Sequence, residues 1–319
     1  MIAVMGSGAF GTGLAISLAQ NGPVLMWARD ATHVAEMAET RENTRRLTGA
    51  KFPDTLSVTH DLNQLVDYET VLLAVPTQTL RVVLEKNAGL LAGKTLVACC
   101  KGVEVSTQKS PSQIIADCVP SATPAVLTGP SFARDIANGL PTALTLACEN
   151  DTVGETLQAN LRTPNIRIYR TTDVTGAELG GALKNIMAIA CGIAIGAGLG
   201  DSARAALMTR GFAEMQRMAI KLGAQSETLS GLSGFGDLTL TCTSEQSRNM
   251  RFGLCLGRGE GFDPNVTVEG VATSRAVSAK AAKLSVDMPI TNAVVAVIDK
   301  NLRVDQAMDM LLSRPLKEE

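Results

Sequence analysis

The chain has 319 residues, of which 45% are hydrophobic and 19% charged, with 29 lysines and arginines against 31 aspartates and glutamates. That length exceeds what one hydrophobic core organises, so two domains are expected, and the ordinary globular composition excludes a disordered or fibrous chain. A formal charge of −2 with 3% aromatic residues excludes a basic, base-stacking nucleic-acid surface and an electrostatic membrane anchor.

Met1 opens directly into an apolar run at 2–5, so no signal peptide is expected. Short apolar runs at 2–5, 24–27, 70–75, 95–99, 125–127 and 143–147 predict strands. They alternate with predicted helices near 10–21, 31–40, 79–86, 111–118, 131–138 and 151–161. Strand, helix, strand at this spacing implies right-handed crossovers and a mostly parallel sheet covered on both faces, an α/β fold of Rossmann type. After about Asp173 the strand signal stops and Ala, Gly, Leu and Met take over. Helical spacing through 174–195, 203–222, 269–284 and 291–299 predicts a second, all-helical domain, which divides the chain into 1–174 and 175–319. The most apolar stretch, 186–199, is too short to span a bilayer and reads as a core helix. Seven cysteines without a C-x-x-C or a secreted-domain spacing read as buried thiols in a reducing, cytoplasmic compartment.

Gly6-Ser7-Gly8-Ala9-Phe10-Gly11 follows the first predicted strand and opens the first helix. Gly6 permits the tight turn, Gly8 lets the backbone approach a pyrophosphate, and Gly11 allows close helix–strand packing. The helix N-terminus supplies N–H donors to the anion. In this context the hexapeptide predicts a nicotinamide dinucleotide site. The second strand ends Trp27-Ala28-Arg29-Asp30, which places Arg29 to meet a ribose 2′-phosphate while Asp30 starts the next helix. NADPH is therefore expected, with NADH as the alternative. Gly89-Leu90-Leu91-Ala92-Gly93-Lys94-Thr95 is one residue short of a P-loop and precedes a strand, so it reads as a turn.

Hydride transfer to a carbonyl needs a proton donor. The two histidines, His33 and His60, fall around the second and third strands on the expected adenosine side. Neither Tyr68 nor Tyr169 begins a Tyr-x-x-x-Lys pair, and no Cys/His cluster has the spacing of a metal site. Lysine remains, and two lysines stand out. Lys101 follows the strand at 95–99, at the carboxyl edge where open α/β sheets bind ligands. Lys184 is a lone charge on an otherwise apolar helix; burial lowers an ammonium's pKa toward neutrality, which suits acid–base work. Further on, Arg248 beside Asn249 pairs a planar fork with an amide donor, a combination that grips phosphate.

Together these blocks resemble the bacterial-type NAD(P)-dependent glycerol-3-phosphate dehydrogenases. The resemblance runs from Gly6 to about Ile290 through Lys101-Gly-Val-Glu, Gly129-Pro-Ser-Phe-Ala, Gly181-Ala-Leu-Lys-Asn, Leu232-Ser-Gly-Phe-Gly-Asp-Leu-Thr-Leu-Thr, Ser247-Arg-Asn and Val268-Glu-Gly. It implies reduction of dihydroxyacetone phosphate to sn-glycerol 3-phosphate for phospholipid synthesis. It further implies a helical domain like that of 6-phosphogluconate dehydrogenases and a homodimer. By the same resemblance, Lys184 is the acid/base, Lys101 touches substrate and cofactor, and Asp237 and Thr241 line the reacting hydroxyls. Gly129 and Ser131 form a substrate loop with Ala133 near the cofactor. Ser247, Arg248 and Asn249 form the phosphate grip, with Arg248 also facing the dinucleotide. Ala9, Phe10 and Arg29 contact the dinucleotide, and Glu269 closes over it. A 3-hydroxyacid, ketopantoate or phosphogluconate dehydrogenase would share the helical-domain lysine. The Ser247-Arg-Asn and 232–244 blocks favour the triose phosphate. A dinucleotide-binding sensor without turnover would leave the charge of Lys184 without a reason.

Overall fold

The computed structural model describes residues 1–313, and the chain divides into two compact units. The first comprises Met1–Lys101 and Lys109–Glu178; the second comprises Gly102–Gln108 and everything described from Leu179 onward.

The first unit is built on an eight-stranded sheet: β1 (Ile2–Met5), β2 (Val24–Trp27), β3 (Leu56–Thr59), β4 (Thr70–Leu73), β5 (Thr95–Ala98), β6 (Thr123–Thr128), β7 (Thr142–Ala147) and β8 (Ile166–Thr171). Its order is β3-β2-β1-β4-β5-β6-β7-β8. Every neighbouring pair is parallel except β6 and β7, which run antiparallel. The exception has a length argument. The connection from β6 to β7 contains only the five-residue helix Ala133–Ala137, which rises about 7 Å, against roughly 20 Å for the six-residue strand it would have to retrace. Alternate residues of β1 face opposite layers: Val4 packs with Leu14 and Leu18, while Ala3 and Met5 pack with Leu73, Leu96 and Ile115. The strand order reverses direction between β1 and β4, so their carboxyl ends open the crevice where such sheets take ligands.

Two strands were not predicted. Leu56–Thr59 and Ile166–Thr171 lie at the two edges of the sheet, where half-exposed strands mix polar and charged residues among the apolar ones. The Gly89–Thr95 segment forms the short helix Ala88–Leu91 and a left-handed turn at Gly93 before β5, so the chain turns there into a strand.

The second unit is helical. It holds the greater part of Val174–Gly196, then Gly200–Lys221, Ser226–Ser230, a π turn at Leu232–Gly236, Asp237–Cys242, Arg248–Arg258, Glu269–Leu284, Pro289–Ile298 and Val304–Leu312. Val174–Gly196 is long and apolar enough to cross a bilayer by composition alone, yet almost all of its apolar length is buried in protein. The excursion Gly102–Gln108 belongs to this core: Val103 lies in its apolar cluster, and Lys280 donates to the Gln108 carbonyl at 3.3 Å. All seven cysteines are free thiols.

Two buried carboxyls brace the units from within. Glu178 accepts from the Ser112 N–H and hydroxyl at 2.7 Å each, and Glu214 accepts from the N–H groups of Ile290 and Thr291 at 2.8 Å each. Each thereby satisfies orphan donors at a helix N-terminus. Burial holds both carboxyls above the ordinary range, although these hydrogen bonds pull the other way. A carboxyl raised in the folded state binds its proton more tightly than in the unfolded chain. Its contribution is therefore fully present below the unfolded pKa and is lost as pH rises through the folded one. Melting Glu214→Gln beside the unsubstituted chain from about pH 4 upward checks this. The difference in Tm is expected to move in favour of the amide as pH rises; a flat difference would remove the argument.

Candidate active site

The turn after β1 is shaped by contact. Gly6 has φ +123°, its N–H donates to Trp27 O at 2.9 Å, and a Cβ there would stand 2.6 Å from Ala74 O, at the end of β4. A Cβ on Gly11 would stand 2.2 Å from Gly6 O. Gly8 differs: it is the N-cap of the helix Ala9–Leu18, with no atom within 4 Å of a Cβ built on it. That open space lies at a helix N-terminus on the carboxyl edge of the sheet, and it fits a dinucleotide pyrophosphate. Ala9 and Phe10 form the first turn of the helix. Arg29 is exposed just past β2, while Asp30 is committed as the N-cap of Ala31–Thr40, accepting from His33 N at 3.1 Å. Both Asp30 carboxylate oxygens are thus engaged, one by His33 N and the other by Arg45 at 3.1 Å.

Lys101, just beyond β5, donates from Nζ to Gly129 O at 3.2 Å, and the Ser131 hydroxyl donates to the same oxygen at 3.2 Å. The Lys101 carbonyl is held by the Thr77 hydroxyl at 3.0 Å. Gly129 has φ +133° and Ala133 opens the helix Ala133–Ala137, so Lys101, Gly129, Ser131 and Ala133 gather around one loop at the carboxyl ends of β5 and β6.

In the second unit, Lys184 lies on the inner face of Val174–Gly196 with only 8% of its side chain exposed. Its Nζ is 2.9 Å from Asp237 Oδ1, a side chain 1% exposed, and 2.5 Å from Thr241 Oγ1; Thr241 in turn donates to Asp237 at 3.2 Å. The spacing explains the meeting. Gly180 and Lys184 are one turn apart on one helix, and Ser233, Asp237 and Thr241 rise by one turn each on the other. A Cβ on Gly180 would stand 2.5 Å from Ser233 O, so only glycine lets the π turn approach closely enough for Asp237 to reach the ammonium. Alone, a buried ammonium is costly; the carboxylate offsets that cost and favours the charged form. Cys242 follows Thr241, but a hydrogen bond with Cys191 and burial push its thiol well up, so it stays protonated at neutral pH.

The three residues of the expected phosphate grip are spent differently. Ser247 is the N-cap of Arg248–Arg258, its hydroxyl accepting from Met250 N at 3.2 Å. Asn249 is buried; it donates to Asn185 Oδ1 at 3.0 Å and accepts from Gly270 N at 2.9 Å. Arg248 alone is exposed, at the helix start. Glu269 is half-buried at the start of Glu269–Leu284, one residue from the Gly270 amide that Asn249 holds. The sequence reading missed Asn185, which with Gly270 makes this tie, and Gly180, which admits the π turn; the Gly181-Ala-Leu-Lys-Asn block contains Asn185 without signalling its partner.

The strand order, the glycine turn at its switch point and the helical unit with a buried lysine define a Rossmann-type, nicotinamide-dependent oxidoreductase. The chain belongs to the NAD-dependent glycerol-3-phosphate dehydrogenase family: the family's N-terminal model matches residues 1–154 and its C-terminal model residues 173–309. A glycerol-3-phosphate dehydrogenase (NAD(P)+) of Ruegeria sp. strain TM1040 is 61% identical over 100% of this chain and 99% of that one. One from Paracoccus denitrificans is 56% identical over the same shares. The crystal structure of glycerol-3-phosphate dehydrogenase from Coxiella burnetii superposes with a TM-score of 0.92 at 38% identity, covering 98% of each chain. A ketopantoate reductase family structure from Ralstonia eutropha, at TM-score 0.61 and 16% identity, shares the fold alone.

Proposed function

We propose that this chain catalyses the reversible reduction of dihydroxyacetone phosphate to sn-glycerol 3-phosphate, a precursor for phospholipid synthesis. The observation that carries the reading is the buried Lys184 ammonium on Asp237 and Thr241, in a chain of this family. When bound, the nicotinamide dinucleotide supplies or takes the hydride. Lys184 Nζ donates the proton to the developing alkoxide, and in reverse takes it from the substrate hydroxyl. Asp237 orients that amine, and Thr241 fixes its direction. Lys101 binds substrate and cofactor, with Gly129 and Ser131 forming the loop that steadies its amine. Arg248 holds the phosphate, joined by the amide donors of the helix start that Ser247 caps. Asn249 sets that turn against Glu269, which closes on the cofactor. Gly6, Gly8, Ala9, Phe10, Gly11 and Ala133 line the dinucleotide. A homodimer acting in the cytoplasm completes the proposal, supported by the family resemblance. Consumption of reduced nicotinamide with dihydroxyacetone phosphate, set against ketopantoate and the 3-oxoacid partners of 3-hydroxyacids, is the direct test. No turnover with the triose phosphate would end this reading.

For the cofactor, the exposed Arg29 and the committed Asp30 favour NADPH. Arg29→Ala is expected to raise KM for NADPH by about tenfold through loss of a charge-assisted bond, and to leave KM for NADH nearly unchanged. Equal effects on both cofactors would move Arg29 away from the 2′-phosphate.

A further inference from the structure

A second layer stands behind the glycine turn. Arg41 closes the helix Ala31–Thr40 in the left-handed conformation, φ +52°, and reverses the chain so that Asn43 lies fully buried against the turn. Asn43 Nδ2 donates to the Ser7 carbonyl at 2.9 Å and to Thr12 Oγ1 at 2.8 Å, and Thr12 Oγ1 passes on to Met26 Sδ at 3.7 Å. Both amide hydrogens are thereby assigned, so Asn43 Oδ1 must accept; its partner is His33 Nε2 at 3.0 Å, which therefore carries a proton and donates. His33 is itself fixed. Its N–H is capped by Asp30, and Asp30 and Glu36 are both held by Arg45, at 3.1 and 2.5 Å.

Ser7 is the residue between the first two glycines of the turn. In a trans peptide the carbonyl and the following N–H point in opposite directions. Holding Ser7 O against Asn43 therefore turns the Gly8 N–H to the far side of the turn. Released, this peptide between a serine and a glycine could rotate and present its carbonyl to an anion instead. We propose that Asn43, held by His33, is a positioning residue for the cofactor: it locks the Ser7–Gly8 peptide so that the Gly8 N–H faces the pyrophosphate. This rests on the reading of Gly6–Gly11 as the dinucleotide site. Because the pyrophosphate is common to both cofactors, the lock acts on NADPH and NADH alike, unlike Arg29.

The test is equilibrium binding of NADPH and of NADH to the full chain, followed by nicotinamide fluorescence, with thermal melting in parallel. Asn43→Ala is expected to raise Kd for both cofactors on the order of tenfold, the cost of one lost buried hydrogen-bond partner. His33→Leu, which strands Asn43 Oδ1, is expected to weaken both several-fold, and His33→Gln, which keeps a donor there, to restore them. Unchanged Kd in folded Asn43→Ala and His33→Leu, even with a lowered Tm, would overturn the proposal and leave the network merely structural. If Asn43→Ala does not fold, the two His33 variants decide alone. Failure of the unsubstituted chain to bind either dinucleotide would instead sink the cofactor site itself.

Discussion

Lys184→Ala is expected to lower kcat by about 10²–10⁴-fold, the range that positioned proton transfer contributes, while NADPH still binds. Removing the ammonium also leaves Asp237 buried without its counter-ion, a change that costs about 3–5 kcal/mol in comparable pairs. A loss of activity alone would therefore not separate chemistry from folding. Lys184→Arg separates them. A guanidinium keeps the positive charge beside Asp237 but does not release a proton at physiological pH, so the variant should melt close to the unsubstituted chain and still lose turnover. Asp237→Asn should lower kcat and move its pH profile, because the charged form of Lys184 loses its partner. Appreciable kcat in both Lys184 variants, with the pH profile unmoved, would transfer the acid role elsewhere; Lys101 is the residue to test next.

The second large effect is expected at Arg248. Ser247 and Asn249 are bound into the fold, so discrimination for a phosphorylated triose falls mainly on this guanidinium. Arg248→Ala should reduce the preference for dihydroxyacetone phosphate over dihydroxyacetone, in kcat/KM, by about 10²- to 10³-fold. Guanidinium ion added back should recover part of that loss with the phosphorylated substrate only. Asn249→Ala is a contrasting change. It breaks the tie to Asn185 and Gly270, so it should affect cofactor and substrate together and lower Tm. If Arg248→Ala leaves the phosphate preference intact, the grip lies elsewhere in the chain.

Much of the molecule could be read directly because its signals are local. A tight turn that needs glycine at Gly6 and Gly11 announces itself in six residues, and six of the eight strands are short apolar runs that need no partner to be recognised. Lys184 was visible because one charge on an apolar helix demands a reason. The edge strands β3 and β8 were hidden because half-exposed strands lose the continuous apolar pattern. The helix Arg248–Arg258 was missed as well; the polar stretch read from the sequence ends at Asn249, and that Ser247 caps a helix there is seen only in the structure.

What the sequence determined by itself is the inventory: a dinucleotide turn, a lone lysine, an arginine beside an asparagine, and a change from alternating elements to helix. Only the tertiary structure decided their partners. Nothing local links Lys184 to Asp237, or His33 and Asn43 to Ser7, because those pairings depend on how closely one backbone can approach another, at Gly180 in the first case and behind the glycine turn in the second. Likewise the excursion Gly102–Gln108 carries no mark of the unit it joins. A side chain's chemistry is written in its own residue, but its role follows from neighbours that are distant along the chain and come within hydrogen-bond reach only when the core closes.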